Sequence, residues 1–234
     1  MAAKRRRPNI ARALKEMAVI HAAKPRKKHP LFIALMKGKL KRPQVREYLK
    51  QFSAIPLYNH LYHGPLYVSC PDPAWRERLA HVVYEEGAGG LFAGGVPHYK
   101  LYLRLGKAFG IGEREMYATD FVGGALAFRS HFEAVCSRGF LEGYSALSLG
   151  GEAQVPGVSG KVSDAMKRYY GLSHAQAAFY WVDEDADKDH SGGGDKFLER
   201  FCATESDLDV AVGAVRDAVN IAWLMYEDIW DHIN

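Results

Sequence analysis

Hydrophobic residues recur at helical spacing along almost the whole of this 234-residue sequence, and this pattern constrains the fold more than any other feature. Two long helices are predicted over residues 43–68 and 124–150, although Pro56 and Pro65 should kink or interrupt the first. Glycine and proline separate successive segments, and no convincing strand or internal repeat is present. About seven to eight helices joined by short loops predict an all-α helical bundle.

The length and composition predict one domain over residues 9–234, preceded by a basic, disordered tail over residues 1–8. Hydrophobic residues make up 48% of the chain, which is enough for a substantial core. The three cysteines are far apart and show no CxxC spacing, so a reduced, cytoplasmic protein is expected. No apolar run resembles a signal peptide or a membrane span, so neither export nor a membrane partner is expected.

The formal net charge of +4 is concentrated near the N-terminus. One basic run covers residues 4–7, and a second cluster contains Lys24, Arg26, Lys27 and Lys28. We interpret them as a solvated tail and a solvated helix end. Nucleic-acid binding is the alternative, but no aromatic or base-reading residues accompany the clusters, so no nucleic-acid partner is expected.

An acidic segment in the C-terminal third of the chain carries the strongest local signal for a metal site. Asp183, Asp187 and His190 are spaced at i, i+4 and i+7, so a helix would place them on one face. Two carboxylates and an imidazole on one face can bind a divalent metal. A solvated acidic helix is the alternative that spacing alone leaves open.

A second candidate site lies around the glycine-rich stretch that separates two predicted helices. Glu85 and Glu86 end the helix before this predicted loop, and His98 begins the helix after it. Ligands from the two sides of a loop can converge on a metal. His81 with Glu85, at i and i+4, is a local alternative, and solvated glutamates are another.

Glu152 lies at the C-terminal end of the predicted helix over residues 124–150, where the helix dipole disfavours a carboxylate. A nearby metal would offset this cost, whereas an exposed helix-end glutamate would need no further explanation. Tyr144, Ser145 and Ser148 lie upstream of Glu152 and are candidates for the wall of a substrate pocket. Ordinary packing is an equal alternative for these three.

Six stretches together resemble the CADD-type branch of the haem-oxygenase-like di-iron proteins, with PqqC and TenA as more distant relatives. They are HPLFIALMKGKL (29–40), CPDPAWRERLAHVVYEEGAGG (70–90), HYKLYLRLGKAFGI (98–111), GEAQVPGVS (151–159), RYYGL (168–172) and FYWVDEDADKDHS (179–191). Their order and spacing carry the resemblance. It implies a haem-oxygenase-like helical bundle.

The resemblance also implies a metal site with two iron ions and neither haem nor flavin. Carried over by position, its ligands are Glu85, His98, Glu152, Asp183, Asp187 and His190. Asp183 stands where the family has histidine, and the added negative charge would favour Fe(III) or allow manganese in place of one iron. The loop before His98 is also longer than is usual in the family.

The implied function is a di-iron oxygenase or oxidase that uses O2 to oxidise a small, external substrate by N-oxygenation, C–H abstraction or C–C cleavage. The basic balance favours an anionic substrate such as an amino-acid derivative, an external reductant is compatible with the chemistry, and a homodimer is expected by analogy. The alternatives are a metal-free PqqC-like oxidase, a TenA-like hydrolase and an inactive binding protein.

One activity of the CADD-type proteins is not expected here. Those that make p-aminobenzoate consume their own tyrosine with the help of a lysine, and the corresponding positions are Phe32, Ser53 and Val162. Phenylalanine has no phenol and valine has no amine. Lys161 is adjacent to Val162, but one residue turns a helix by about 100°.

Overall fold

The computed structural model describes residues 8–190 and 193–234, including all of their side chains except those of residues 185–190. This part of the chain contains thirteen α-helices and no strand. The helices are α1 (Ile10–Ala23), α2 (Pro30–Met36), α3 (Arg42–Phe52), α4 (His60–Ser69), α5 (Pro73–Ala88), α6 (His98–Ala108), α7 (Glu113–Tyr117), α8 (Gly123–Arg138), α9 (Phe140–Tyr144), α10 (Ser159–Tyr170), α11 (Ala178–His190), α12 (Gly194–Phe201) and α13 (Glu205–Ile233).

The all-α prediction is confirmed, but the predicted count of seven to eight helices is wrong, because predicted long helices are divided and short helices such as α7 and α12 add to the count. The segment 43–68 forms α3 and α4, with an irregular turn at 53–59 that contains Pro56. The segment 124–150 forms α8 and α9, which Gly139 separates, and then continues as a π-helix over Ser145–Gly151. After each division, the two shorter helices can pack in different directions.

The central element is α13, whose 29 residues pack against α8, the π-helix, α1 and α3. Thr204 begins this helix with a capping box, since its side chain accepts from the backbone N–H of Asp207 and Asp207 reciprocates. Apolar residues such as Val212, Val215 and Ile229 face the core along the whole length of α13.

Glycine allows α8 to approach α13 closely. A Cβ added at Gly124 would lie 2.8 Å from the carbonyl oxygen of Leu224 and 2.9 Å from the Cα of Met225. The backbone N–H of Gly124 also donates to the Asp228 side chain at 2.6 Å. The buried hydrophobic residues of α1 through α13 form one continuous cluster around this contact.

No described helix has both the length and the apolar character needed to cross a bilayer. Only residue 8 of the predicted tail, 1–8, lies within the described chain.

Candidate functional site

A cavity of about 90 Å³ lies inside the bundle, which is room for several water molecules or one small molecule. Side chains from α3, α4, α8, α11 and α13 surround it. Its aromatic wall consists of Phe52, Tyr62, Phe128, Phe132, Phe179 and Tyr226. Its polar wall consists of Arg26, Asn59, His63, Glu86, His98, Glu152 and Asp183. The mixture is typical of a small-molecule site, in which a few polar groups face an apolar space.

The end of α5 positions the first carboxylate. Gly89 ends the helix with φ +67°, a left-handed conformation that glycine adopts without strain. The chain then turns back, so that the backbone N–H groups of Leu91 and Phe92 donate to Glu85 Oε2 at 2.6 and 3.1 Å. The Glu85 side chain is fully buried, whereas His81, its suggested local partner, is exposed.

His98, the first residue of α6, contacts both glutamates at the end of α5. Its Nε2 lies 3.1 Å from Glu85 Oε1, and its Nδ1 lies 3.1 Å from Glu86 Oε1. The amide of Asn59 in turn donates to Glu86. Burial alone would lower the pKa of His98, but the negative charge of Glu86 and the hydrogen bonds to both carboxylates outweigh it and raise the pKa to about 9. His98 is therefore protonated at neutral pH in the protein without metal.

Glu152 comes directly after the seven-residue π-helix, at the start of a 3₁₀ turn over Glu152–Gln154. Such interruptions of α-helical structure are frequent at functional sites. Ser148, one turn earlier, donates to Glu152 Oε2 at 2.8 Å. His63 Nε2 of α4 lies 3.5 Å from Glu152 Oε1.

Asp183 reaches the cavity from α11. The Ser159 hydroxyl donates to its Oδ2 at 2.7 Å. Loss of hydration raises the pKa of Asp183 to about 6, and Ser159, Arg26 and His98 oppose the rise. These neighbours stabilise the charged form of the Asp183 carboxylate, but the carboxylate remains easier to protonate than an exposed one.

The structure brings five carboxylate or imidazole groups to one cavity: His63, Glu86, His98, Glu152 and Asp183. Glu85 lies behind His98 and does not border the cavity. The backbone of α11 extends to His190, but the side chains of Asp187 and His190 lie outside the described residues. Among the described side chains, no three His, Cys, Asp or Glu residues are already arranged to hold a metal ion.

The predicted pocket residues take other positions. Tyr144 stacks on Phe197, with ring centroids 4.2 Å apart, and borders an aromatic cluster that includes Trp75. Ser145 is fully buried and its hydroxyl has no hydrogen-bond partner in the described structure. Neither borders the cavity, and Ser148 acts on it only through Glu152. The π-helix changes which way these side chains face, so α-helical spacing did not place them.

Three polar residues of the cavity, Arg26, Asn59 and His63, were not recognised in the sequence. Arg26 was interpreted as part of a solvated helix end, and this is wrong because only 6% of the residue is exposed. A short 3₁₀ turn over Arg26–Lys28 directs it inward, while Lys27 and Lys28 remain exposed. The sequence contains one signal for His63, which lies in a largely apolar helix. A histidine buried in such a helix needs a polar partner.

Comparison with known proteins identifies the family. Residues 46–223, about three quarters of the chain, match the sequence profile described as "iron-containing redox enzyme". The chain belongs to this family. It is also similar to two proteins named 4-aminobenzoate synthase. The one from Chlamydia pneumoniae is 24% identical over 84% of this chain and 85% of its own length. The one from Nitrosomonas europaea is 24% identical over 87% and 85%, respectively.

Solved structures confirm that this family member has the haem-oxygenase-like fold. A protein from Shewanella denitrificans that is described as having a heme oxygenase-like fold gives a TM-score of 0.72 at 14% identity, covering 96% of this chain and 93% of that chain. A TenA homologue from Pseudomonas syringae superimposes with a TM-score of 0.73 at 13% identity, covering 96% of this chain and 94% of that chain. A CADD-like protein from Nostoc punctiforme gives a TM-score of 0.72 at 12% identity, covering 95% and 97%. At these identities the likeness concerns the fold alone.

Proposed function

We propose that this chain is an O2-dependent oxidase or oxygenase in which two iron ions oxidise a small, external substrate. The observation that carries the proposal is the convergence of Glu86, His98, Glu152 and Asp183 on one largely apolar cavity, in a chain that belongs to an iron-containing redox family. Carboxylate oxygens and imidazole nitrogens are suitable ligands for iron. Asp187 and His190 would complete the set from α11.

The geometry around His98 distinguishes the two glutamates at the end of α5. A histidine that binds a metal through one nitrogen commonly donates from the other to a carboxylate. Glu86 and the Nδ1 side of His98 meet at the cavity, whereas Glu85 holds Nε2 and is fixed by two backbone N–H groups. We therefore propose Glu86 as a metal ligand and Glu85 as the residue that orients His98. The family resemblance alone assigned the ligand role to Glu85.

The remaining residues of the site prepare this environment. Iron bound there would supply the redox chemistry with O2. Ser148 and Ser159 orient the carboxylates of Glu152 and Asp183 through hydrogen bonds. His98 must lose its proton before it can bind a metal, so metal binding should release a proton. The aromatic wall would give a bound substrate an apolar surface to pack against.

We propose an external substrate in place of a sacrificed tyrosine. Phe32 is fully buried, Lys161 is exposed, and no lysine is among the described residues that border the cavity. The described residues around the cavity therefore include no lysine that could donate the amine of p-aminobenzoate. The phenols of Tyr62 and Tyr226 do border the cavity, so mass spectrometry of the protein after turnover is the direct test. Loss of a tyrosine side chain would contradict an external substrate.

A TenA-like hydrolase would need a nucleophilic thiol, and none of the described residues around the cavity is a cysteine. All three cysteines are buried and unpaired with one another. Burial raises the pKa of each of them, to about 12 for Cys136 and about 11 for Cys202. Thiols with raised pKa values are poor nucleophiles at neutral pH.

Anaerobic titration with Fe(II), followed by exposure to O2, tests the proposal. We expect about two irons per chain and iron oxidation on exposure to O2. Asp187→Ala should lose iron at one position together with all turnover, and Glu86→Gln should weaken iron binding more than Glu85→Gln does. Asp164→Asn, at a residue whose side chain is 77% exposed, is the control. A chain that takes up no iron would refute the proposal and leave a metal-free enzyme or a binding protein.

A further inference from the structure

Arg26 is a buried cation on the wall of the cavity. Its guanidinium carbon lies 4.6 Å from the centroid of the Phe32 ring, 5.5 Å from that of Phe52 and 5.6 Å from that of Tyr226. Aromatic faces stabilise a guanidinium by cation–π attraction. Such contacts do not satisfy the N–H donors of the guanidinium, which need hydrogen-bond acceptors near its plane.

The described structure provides no such acceptor. The backbone N–H of Arg26 donates to Gln154 Oε1 at 2.7 Å, but the guanidinium makes no hydrogen bond or ion pair with any described residue. Its Nε is buried without a partner. The charge of Asp183 acts on Arg26, yet that carboxylate accepts its hydrogen bond from Ser159. A buried donor without an acceptor is costly, and a charged one more so.

Arg26 also connects the cavity with the surface. A groove on the outside of the protein is lined by His21, Lys27, Lys28, Gln154 and Pro156, and Arg26 borders this groove as well. Both lysines are exposed. A cleft lined by one sign of charge attracts the opposite sign. The groove is therefore suited to draw an anion towards Arg26, which borders both the groove and the cavity.

We propose that Arg26 binds the carboxylate of the substrate, so that the substrate class is a small aromatic carboxylic acid. A guanidinium fork matches the two oxygens of a carboxylate with two parallel hydrogen bonds. The aromatic wall of the cavity fits a ring, and the carboxylates that border the same cavity, which we propose as metal ligands, disfavour a second negative charge on the substrate. The term "substrate" rests on the proposed function, because it presupposes the oxidase. The binding of a carboxylate to Arg26 does not depend on iron.

Calorimetric titration of the full chain with benzoate, and with benzamide as its uncharged counterpart, tests the proposal. It should be done on the protein as purified and again after metal removal, because benzoate also binds metals directly. We expect saturable benzoate binding that is tighter than benzamide binding in both preparations. Arg26→Met should weaken benzoate by about tenfold to a hundredfold, as expected for loss of charged hydrogen bonds, and leave benzamide almost unchanged.

Arg129→Met is the matched control, because Arg129 lies 4.1 Å over the Tyr58 ring but does not border the cavity. It should leave the affinity for benzoate unchanged. Arg26→Gln keeps a polar side chain and carries the test if Arg26→Met does not fold. Equal benzoate affinity in wild type and the Arg26 variants, equal losses for benzoate and benzamide, or no saturable benzoate binding to wild type would each overturn the proposal.

The iron titration separates this proposal from the proposed function. Arg26→Met should retain the iron stoichiometry of wild type, because Arg26 is not one of the proposed metal ligands. If wild type takes up no iron but binds benzoate through Arg26, the oxidase proposal fails and the carboxylate site stands. If iron binds normally and benzoate does not depend on Arg26, the carboxylate site fails and the oxidase proposal stands.

Discussion

His29 should make this protein lose stability between pH 7 and pH 5. The residue caps α2, where its Nδ1 accepts a hydrogen bond from the backbone N–H of Leu31 at 3.2 Å. Its ring packs edge-on against Trp223 and Tyr226 of α13, and only 1% of the residue is exposed. A nitrogen that accepts a hydrogen bond cannot carry a proton, so the folded protein requires the neutral imidazole.

Burial lowers the pKa of His29 from 6.5 to about 4, although the negative charges of Glu227 and Asp231 oppose the shift. Between these two values the unfolded chain binds a proton and the folded chain does not, so the free energy of unfolding decreases as the pH falls. At pH 5 the two pKa values correspond to a loss of about 2 kcal/mol, approaching about 3 kcal/mol near pH 4.

Urea denaturation of wild type and His29→Asn at pH 7, 6 and 5 measures this contribution. Asparagine can accept the same hydrogen bond from Leu31 but does not titrate. Carboxylates also titrate in this range, so the difference between the two proteins is the quantity to follow. We expect wild type to lose about 2 kcal/mol more than His29→Asn between pH 7 and 5. His60→Asn, at an exposed helix start, controls for residue type. Parallel pH dependence of wild type and His29→Asn would refute the argument.

Three further predictions concern packing, helix propensity and thiol reactivity. Gly124→Ala should lower the free energy of unfolding by about 1–3 kcal/mol in thermal or urea melts, because the new Cβ would meet the backbone of Leu224 at 2.8 Å. Gly213→Ala, in the interior of α13 with nothing within 4 Å, should instead raise it by about 0.5–1 kcal/mol. The three buried cysteines should react slowly with a thiol-specific dye in the native protein and all react in denaturant, whereas a fast-reacting thiol would contradict their raised pKa values.

The sequence predicted the class of fold because helical periodicity and glycine or proline breaks are local properties. Helical spacing in residues 10–22 corresponds to α1 at Ile10–Ala23, and helical spacing in residues 98–109 corresponds to α6 at His98–Ala108. The helix count failed where the outcome depends on tertiary packing. Gly139 is a local signal for the end of α8 at Arg138, but Gly143 lies inside α9, so glycine alone did not identify the break. Nothing local indicates that the last seven residues before Glu152 should form a π-helix.

The same distinction applies to the buried polar residues. Arg26 belongs to a run of basic residues, and a run of this kind is usually solvated. What buries it is the position of three aromatic rings from α2, α3 and α13, among them Phe32 and Tyr226, which are far from one another in sequence. No periodicity in residues 24–28 carries this information, so it could only come from the assembled structure.

The cavity is built mainly from places where regular helices stop, and this limits what helical spacing can predict there. Arg26 lies in a 3₁₀ turn, Glu152 follows a π-helix, and His98 is the first residue of its helix. At such positions the rotation of about 100° per residue no longer holds, so the sequence spacing does not predict which side chains point in the same direction. Asp183 lies within a regular helix and could be placed in this way, whereas Tyr144, at the junction with the π-helix, could not. Variants that restore an unbroken α-helix before Glu152 should therefore move its carboxylate away from the cavity even if every side chain of the site is kept.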